Sequence, residues 1–272
     1  MRAPGPIDPR KRASMQQRTA VVTGASSGIG EALSQALGAR GEHVILVARS
    51  MERLEDLAHR IRRAGGAATV VAADLSQPHA AQRLHDLVRD RGLAIDTLVN
   101  NAGFGYWGPF EAEPLEHLDA QLQVNVVALA ELTRLFVPML LARRGAVLNI
   151  ASTAGFQASP YMSTYAATKA FVLSFSEALW AEYRGRGLRV AAVCPGPVET
   201  AFIDAMGAGV RSTPIFRRPL STDEVVDACL AALGGAGPTT VVGWRNWLLA
   251  QSSRFSPRGM SARIGALLLR PR

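Results

Sequence analysis

Cysteine is scarce in this 272-residue chain. Only Cys194 and Cys229 occur, each inside an apolar stretch and without metal-ligand spacing. That excludes a disulfide framework and a cysteine-built metal centre, and it leaves both residues as small buried hydrophobes; no metal is expected. Long unbroken apolar runs are missing too. No stretch of about 18 apolar residues is expected to span a membrane, and the charged N-terminal segment is followed by no apolar core of a secretory signal, so the expected compartment is the cytoplasm. Acidic residues are outnumbered, with 22 Asp and Glu against 30 Lys and Arg, a formal net charge of +8. Such an excess could serve nucleic acid, an anionic membrane or an acidic ligand. Much of it lies at the ends, in Arg2, Arg10, Lys11, Arg12 and Arg18 and again in Arg245, Arg254, Arg258, Arg263, Arg270 and Arg272. This distribution reads as solvated tails, and nothing between Arg18 and Thr200 suggests an element that reads nucleic acid.

What is present is the composition of a soluble globular protein, 48% apolar and 19% charged, at a length that suits one large α/β domain. Residues 1–17 carry three prolines and no apolar period, which predicts a disordered leader. From Arg18 onward short β-branched runs alternate with helical patterns. Strands are expected at Thr19–Thr23, His43–Ala48, Ala68–Ala72, Ile95–Val99, Ala146–Ala151 and Arg189–Cys194. Helices are expected at Gly28–Ala39, Met51–Ala64, Pro78–Arg91, Pro114–Leu141 and Tyr161–Arg184. A late helix, Thr222–Leu233, precedes a seventh strand near Thr239–Val242. A βαβ series of this kind predicts a doubly wound, Rossmann-type parallel sheet of seven strands flanked by helices, in a single domain over 18–243. Residues 244–272 follow as a C-terminal extension with helical character.

The first strand runs into Thr23-Gly24-Ala25-Ser26-Ser27-Gly28-Ile29-Gly30 and then a helix. Glycines there let the backbone turn sharply and approach a pyrophosphate, whose charge the free N–H groups of the helix start would favour. A tight turn using glycine for conformation alone is the plainer reading. The spacing is not G-x-G-x-x-G, because Leu33 stands where the third glycine would fall. At the end of the second strand, where an acid would meet ribose hydroxyls, the chain has Ala48 and Arg49; an arginine there can pair with a 2′-phosphate, which favours NADP(H) over NAD(H). Alternatively Arg49 is a solvent-facing residue before the helix at Met51. Farther on, Tyr165 and Lys169 stand at i,i+4 on one face of an expected helix, so that an ammonium would favour phenolate and bring the phenol toward neutral pH. Ser152 lies thirteen residues before Tyr165 at the end of the fifth strand, and Asn125 lies in the preceding long helix.

The Thr-Gly-x-x-x-Gly-x-Gly turn, followed in order by Asn125, Ser152, Tyr165 and Lys169, resembles the short-chain dehydrogenase/reductase family over roughly Thr19 to Thr200. Separately, these residues would be a buried tyrosine, a surface lysine, a serine cap and an asparagine bending its helix. The resemblance implies an oxidoreductase that moves a hydride between NADP(H) and a carbonyl or secondary alcohol. Tyr165 would be its general acid or base, Lys169 would lower the Tyr165 pKa and hold the nicotinamide ribose, Ser152 would bind the substrate oxygen, and Asn125 would help hold a water relay. It also implies cofactor contacts at Gly24, Ser26, Ser27, Gly28, Ile29 and Gly30, at Arg49, and at Asp74 and Leu75 near the adenine; a helix N-cap is the competing role for Asp74. Asn101, Ala102 and Gly103 would line the adenine-ribose side. Pro195, Gly196, Val198 and Thr200 would meet the carboxamide, unless they form a plain Pro/Gly turn.

Substrate choice is expected to lie in Ala201–Pro219 and in the loops Phe104–Phe110 and Ala154–Met162. Their apolar residues, Phe104, Tyr106, Trp107, Phe156, Tyr161, Phe202 and Ile203, favour an apolar partner such as a ketosteroid, a 3-oxoacyl thioester or a bulky xenobiotic carbonyl. They could also be ordinary core. Family resemblance implies a homodimer or homotetramer, and for the extension at 244–272 subunit contact is the stronger reading and membrane contact the weaker, because Pro257 and Gly259 interrupt a single helix. A nucleotide-sensing regulator without turnover is the alternative to an enzyme. A protein binding nucleic acid through its basic tails is a third reading.

Overall fold

A computed structural model describes residues 17–207, 209–235 and 237–271. The expected leader, apart from residue 17, lies outside the described residues. Seven strands form one sheet: β1 (Thr19–Thr23), β2 (His43–Ala48), β3 (Ala67–Ala72), β4 (Thr97–Asn100), β5 (Ala146–Ile150), β6 (Arg189–Cys194) and β7 (Thr239–Val241). Their order is β3-β2-β1-β4-β5-β6-β7 and every pairing is parallel. All five residues of β1 and of β5 are buried, as continuous apolar strands covered on both faces should be.

The helices supply those two layers. On one face, α1 (Gly28–Ala39), α2 (Met51–Arg63) and α8 (Thr222–Leu233) bury Leu33, Leu37, Leu54, Leu57, Val225 and Cys229 against the sheet. On the other, α3 (Ala80–Asp90) and α5 (Leu129–Ala142) do the same with Leu84, Val88, Leu132, Phe136 and Leu140, and α6 (Ser163–Tyr183) packs against them with the partly buried Leu179 and Trp180. Local chemistry sets their starts. Ser50 accepts from Arg53 N ahead of α2, and Ser221 with Glu224 forms a capping box ahead of α8. Asp96 ties three strand beginnings together: its carboxylate accepts from Thr19 N at 2.9 Å and from Arg143 Nε at 2.9 Å, while its carbonyl accepts from Ala146 N.

The structure corrects three expectations. The single helix expected at Pro114–Leu141 is α4 (Leu115–Leu122), a π-helical segment (Gln123–Ala128) and α5, run together. The helix expected from Tyr161 starts at Ser163, because Tyr161 has a φ of 62° that no right-handed helix accommodates. And one stretch, Leu115–Ala142, is long and apolar enough by length and composition to cross a membrane. Glu131 and Arg134 hid it from a search for unbroken apolar runs; both are exposed, whereas Leu129, Leu132, Phe136 and Leu140 are buried in the protein interior, so the stretch behaves as a core helix. After β7 the chain forms a short pair, α9 (Trp244–Phe255) and α10 (Arg258–Leu269), separated at Ser256-Pro257. A further short helix, α7 (Ala201–Ala205), follows β6.

Among the described residues, Phe136 is the largest fully buried side chain. Phe136→Ala is expected to lower unfolding stability by about 3–5 kcal/mol, read from urea melts. Phe110→Ala, at a side chain 60% exposed, should change it by less than about 0.5 kcal/mol.

Candidate active site

The strand order reverses between β1 and β4, and in an open parallel sheet the crevice beyond the C-terminal ends of such a pair is where ligands sit. The turn after β1 is built for close approach. Gly24 has a φ of 66°, and a Cβ on Gly30 would collide with the Gly24 carbonyl oxygen and the Asn101 amide. Asn101 Nδ2 donates to Thr23 O at 2.9 Å and Gly24 O at 3.2 Å, while Thr23 Oγ1 accepts from Asn101 N and Ala102 N, both at 3.0 Å. Ser27, the N-cap of α1, makes no side-chain capping bond. The first N–H groups of α1 thus have no capping partner from Ser27, and a helix start of this kind suits an anion. Across the crevice a Cβ on Gly28 would lie 3.1 Å from Thr200 Cγ2, so the turn and the loop after β6 face each other.

Arg49, at the end of β2, is exposed, and its charge reaches Asp74. Asp74 is not a helix N-cap: α3 starts at Ala80 behind His79, and Asp74 instead accepts from Ser76 N at 3.0 Å and Ser76 Oγ at 2.7 Å. Burial pushes its carboxyl up, but these bonds, one from Gln77 and the Arg49 charge together hold it below the ordinary range. Leu75 beside it is buried. After β6, Leu220 N donates to Pro197 O at 2.8 Å and Glu199 N to Leu220 O at 3.0 Å, which fixes Val198 between them. Thr200 Oγ1 turns back to Val198 O at 3.3 Å.

The four polar residues converge at the same end of the sheet. Tyr165 and Lys169 lie one turn apart on α6, both buried, with Lys169 Nζ 5.7 Å from the Tyr165 ring centroid and donating to Ile150 O at 2.7 Å. Ser152 Oγ accepts from Ala154 N at 3.1 Å, and its hydroxyl lies between a long contact of 3.5 Å to Pro195 O and the Tyr165 phenol. Asn125 sits in the π-helical segment and clamps the loop after β4: Oδ1 accepts from Phe104 N at 3.1 Å and Nδ2 donates to Phe104 O at 2.9 Å and Thr168 Oγ1 at 3.1 Å. The phenol differs from the expected direction. Burial pushes Tyr165 up to about 12, opposed only by a hydrogen bond with Ser152; desolvation of the phenolate form sets the direction. The same burial brings Lys169 down to about 8.

A short-chain dehydrogenase model matches residues 18–210, well over half of the chain. The chain belongs to the short-chain dehydrogenase family. It is 35% identical over 239 residues to a very-long-chain 3-oxoacyl-CoA reductase of Anas platyrhynchos, covering 83% of this chain and 73% of that one. It is 36% identical over 224 residues to a 1-deoxy-11-beta-hydroxypentalenate dehydrogenase of Streptomyces avermitilis, covering 81% and 82%. A short-chain dehydrogenase from Sphingobium yanoikuyae, solved in complex with NADPH, superimposes with a TM-score of 0.78 at 33% identity, covering 88% and 94%.

In this dehydrogenase the apolar residues named from sequence divide. Trp107, Tyr161, Phe202 and Ile203 gather around Tyr165 with Met162 and Met206, and Phe202 tilts onto the Tyr165 ring at 5.7 Å. Phe104 and Tyr106 turn instead to His117, and Phe156 packs beside Val172 and Leu173. Three supports escaped the sequence reading. A Cβ on Gly105 would lie 2.8 Å from Tyr165 Cδ2, one on Gly196 would lie 2.7 Å from Asn246 of α9, and Leu269 of α10 accepts from Trp107 Nε1 at 2.8 Å. Glycines in loops gave a faint signal for the first two; a contact 162 residues apart in sequence gave none.

The lowered Lys169 pKa has a sign that can be tested. The folded state gives up this proton near pH 8, the unfolded state near 10.5. Charge on Lys169 thus opposes folding below about pH 8, and the cost fades as pH rises from 8 toward 10.5. Lys169→Met is expected to raise the thermal midpoint at pH 7 and to lose most of that advantage by pH 10. Equal effects at both pH values would show that the bond to Ile150 O, not desolvation, governs the site.

Proposed function

We propose that this chain is an NADP(H)-dependent oxidoreductase acting on a carbonyl or secondary alcohol in an apolar compound. The observation that carries the reading is the convergence of Ser152, Tyr165 and Lys169 on one dry recess, opposite a glycine-rich turn that no side chain larger than hydrogen would leave open. The turn fits a dinucleotide: Gly24, Ser26, Ser27, Gly28, Ile29 and Gly30 would hold the pyrophosphate, Arg49 a 2′-phosphate, Asp74 and Leu75 the adenine, and Asn101 to Gly103 the adjoining ribose. Pro195, Gly196, Val198 and Thr200 would meet the carboxamide end, with Lys169 and Tyr165 on the nearer ribose. When bound, the nicotinamide supplies or accepts the hydride.

The chain's own residues then handle the proton and the oxygen. Desolvation keeps the Tyr165 phenol protonated across neutral pH, the form a general acid needs to protonate a carbonyl oxygen as it is reduced. The Ser152 hydroxyl, next to the Tyr165 phenol, would bind the same oxygen and stabilise its developing negative charge. In the oxidative direction Tyr165 must become phenolate, and Lys169 ammonium would lower the cost of that charge. Asn125 fixes the loop after β4 and would help connect Lys169 to solvent through water. Trp107, Tyr161, Phe202, Ile203 and Met206 would surround an apolar substrate, in keeping with the very-long-chain 3-oxoacyl-CoA that names one of its relatives. Leu122, Val127 and Phe171, exposed along the helices flanking β5, would serve subunit contact in a dimer or tetramer.

Two measurements test this. Tyr165→Phe is expected to cut NADPH oxidation with ketosteroids, 3-oxoacyl thioesters or aromatic ketones by about 10²–10⁴-fold while leaving NADPH affinity within about threefold; turnover that survives the substitution would refute the role. Tight NADPH binding without turnover of any carbonyl would favour a nucleotide sensor. Arg49→Asp is expected to reverse the preference of NADPH over NADH in kcat/KM by about tenfold or more, and an unchanged ratio would return Arg49 to solvent.

A further inference from the structure

The helix pair α9–α10 is built with its faces reversed. A helix resting on a protein surface normally buries its large apolar stripe and exposes its small and polar residues. Here the residues turned toward the protein are Asn246, Ala250 and Ser253 on α9, and Ser261, Gly265 and Leu269 on α10. Apart from Leu269, the large apolar residues point away. On α10, Met260, Ile264, Leu267 and Leu268 fall at i, i+4, i+7 and i+8 and are all exposed, Leu267 at 79%; on α9, Trp244, Trp247, Leu248 and Phe255 are exposed, Phe255 at 88%. Exposed apolar surface of this extent and order marks a face that something else covers.

Charge indicates what covers it. Six arginines and no acid occur between 228 and 272, and Arg245, Arg258, Arg263 and Arg270 are exposed alongside the apolar stripes. Two copies meeting through this face would set arginines against arginines with no carboxylate between them. An anionic lipid surface matches both features, taking up the tryptophans and leucines at the headgroup boundary and pairing its phosphates with the arginines. We propose that α9–α10 seats this protein on an anionic membrane. Docking does not depend on the reading of the active site, but its consequence does: Leu269 of α10 packs in the apolar group around Tyr165, so the helix lying on lipid also borders the recess where an apolar substrate would react.

Flotation of the full chain with vesicles of phosphatidylcholine and phosphatidylglycerol, compared with phosphatidylcholine alone, tests the proposal. Binding is expected to the anionic vesicles, weakened by salt. The combined change Trp247→Ser, Leu248→Ser, Ile264→Ser should weaken it by about tenfold or more with the thermal midpoint unchanged, since all three side chains are exposed. The pair Arg245→Gln, Arg263→Gln, which leaves the apolar stripes intact, should weaken binding to anionic vesicles alone. Absence of binding to the anionic vesicles, or equal binding by the wild type and both variants, would overturn the proposal. So would a wild-type oligomer that the triple serine change dissociates in size-exclusion chromatography, which would assign the face to a second copy. NADPH turnover of the triple variant on a water-soluble ketone separates failure of docking from failure of the catalytic reading.

Discussion

The parallel pairing of β1 with β4 is the constraint on which the rest of the molecule depends. Because every strand points the same way, every C-terminal end opens on one rim, and because the sheet grows outward in both directions from this pair, the helices diverge and leave a crevice above it. Asn101 locks that junction from the β4 side. Its amide holds Thr23 and Gly24 carbonyls, and its backbone is held in turn by the Thr23 hydroxyl. The turn and the β4 loop are thus one rigid piece, and an anion bound at the start of α1 would be placed relative to Asn125 and Lys169 without any moving part.

A second buried polar chain runs beneath it. Asn100 Nδ2 donates to Thr133 Oγ1 and Asn149 Oδ1, both at 2.9 Å, and Asn149 Nδ2 donates to Ser176 Oγ at 2.8 Å. This chain pins α5 and α6 to the ends of β4 and β5, and so sets the height at which Tyr165 and Ser152 meet. Polar groups without water are costly unless paired; Asn100 Oδ1 has no partner among the described residues, and Lys169 has one, the Ile150 carbonyl. Its lowered pKa and the raised pKa of Tyr165 have one cause, the exclusion of water, which also makes each charge in the recess more effective on a reacting oxygen. Stability is given up where chemistry needs a dry ammonium.

The sheet was legible because its signal is local. The strands are apolar runs bounded by turns, and burial of β1, β4 and β5 on both faces leaves no polar alternation there to confuse the reading. Ser152, Tyr165 and Lys169 were legible because a helical period and a strand end fix their placement within a few residues. Their electrostatics were not, since desolvation depends on what packs around a group: the spacing of Tyr165 and Lys169 shows a charge nearby, but only the packing of Phe202, Gly105 and Ile150 shows that water is gone. The π-helical segment around Asn125 was equally hidden. One extra residue in a helical turn leaves the apolar period almost unchanged, yet it lets the Asn125 amide reach both backbone groups of Phe104.

The C-terminal pair was hardest to read for a related reason. Periodicity reports that a helix has an apolar side but not which way that side faces, and a reader assumes inward. In α9 and α10 the small residues permit close approach to the body of the protein, with Gly265 against Pro160 and Asn246 against Gly196. Close packing of small residues, with Leu269 the one large apolar side chain buried among the described residues of the pair, therefore holds it in place. Such an interface is short of hydrophobic free energy, because Ala250, Gly265 and Ser261 remove little apolar area from water. The large side chains on the opposite face have more to gain from burial than those already buried. A pair attached in this way is held most firmly when both faces are covered, which makes the outer surface of α9 and α10 part of the energetics of the substrate recess that Leu269 borders.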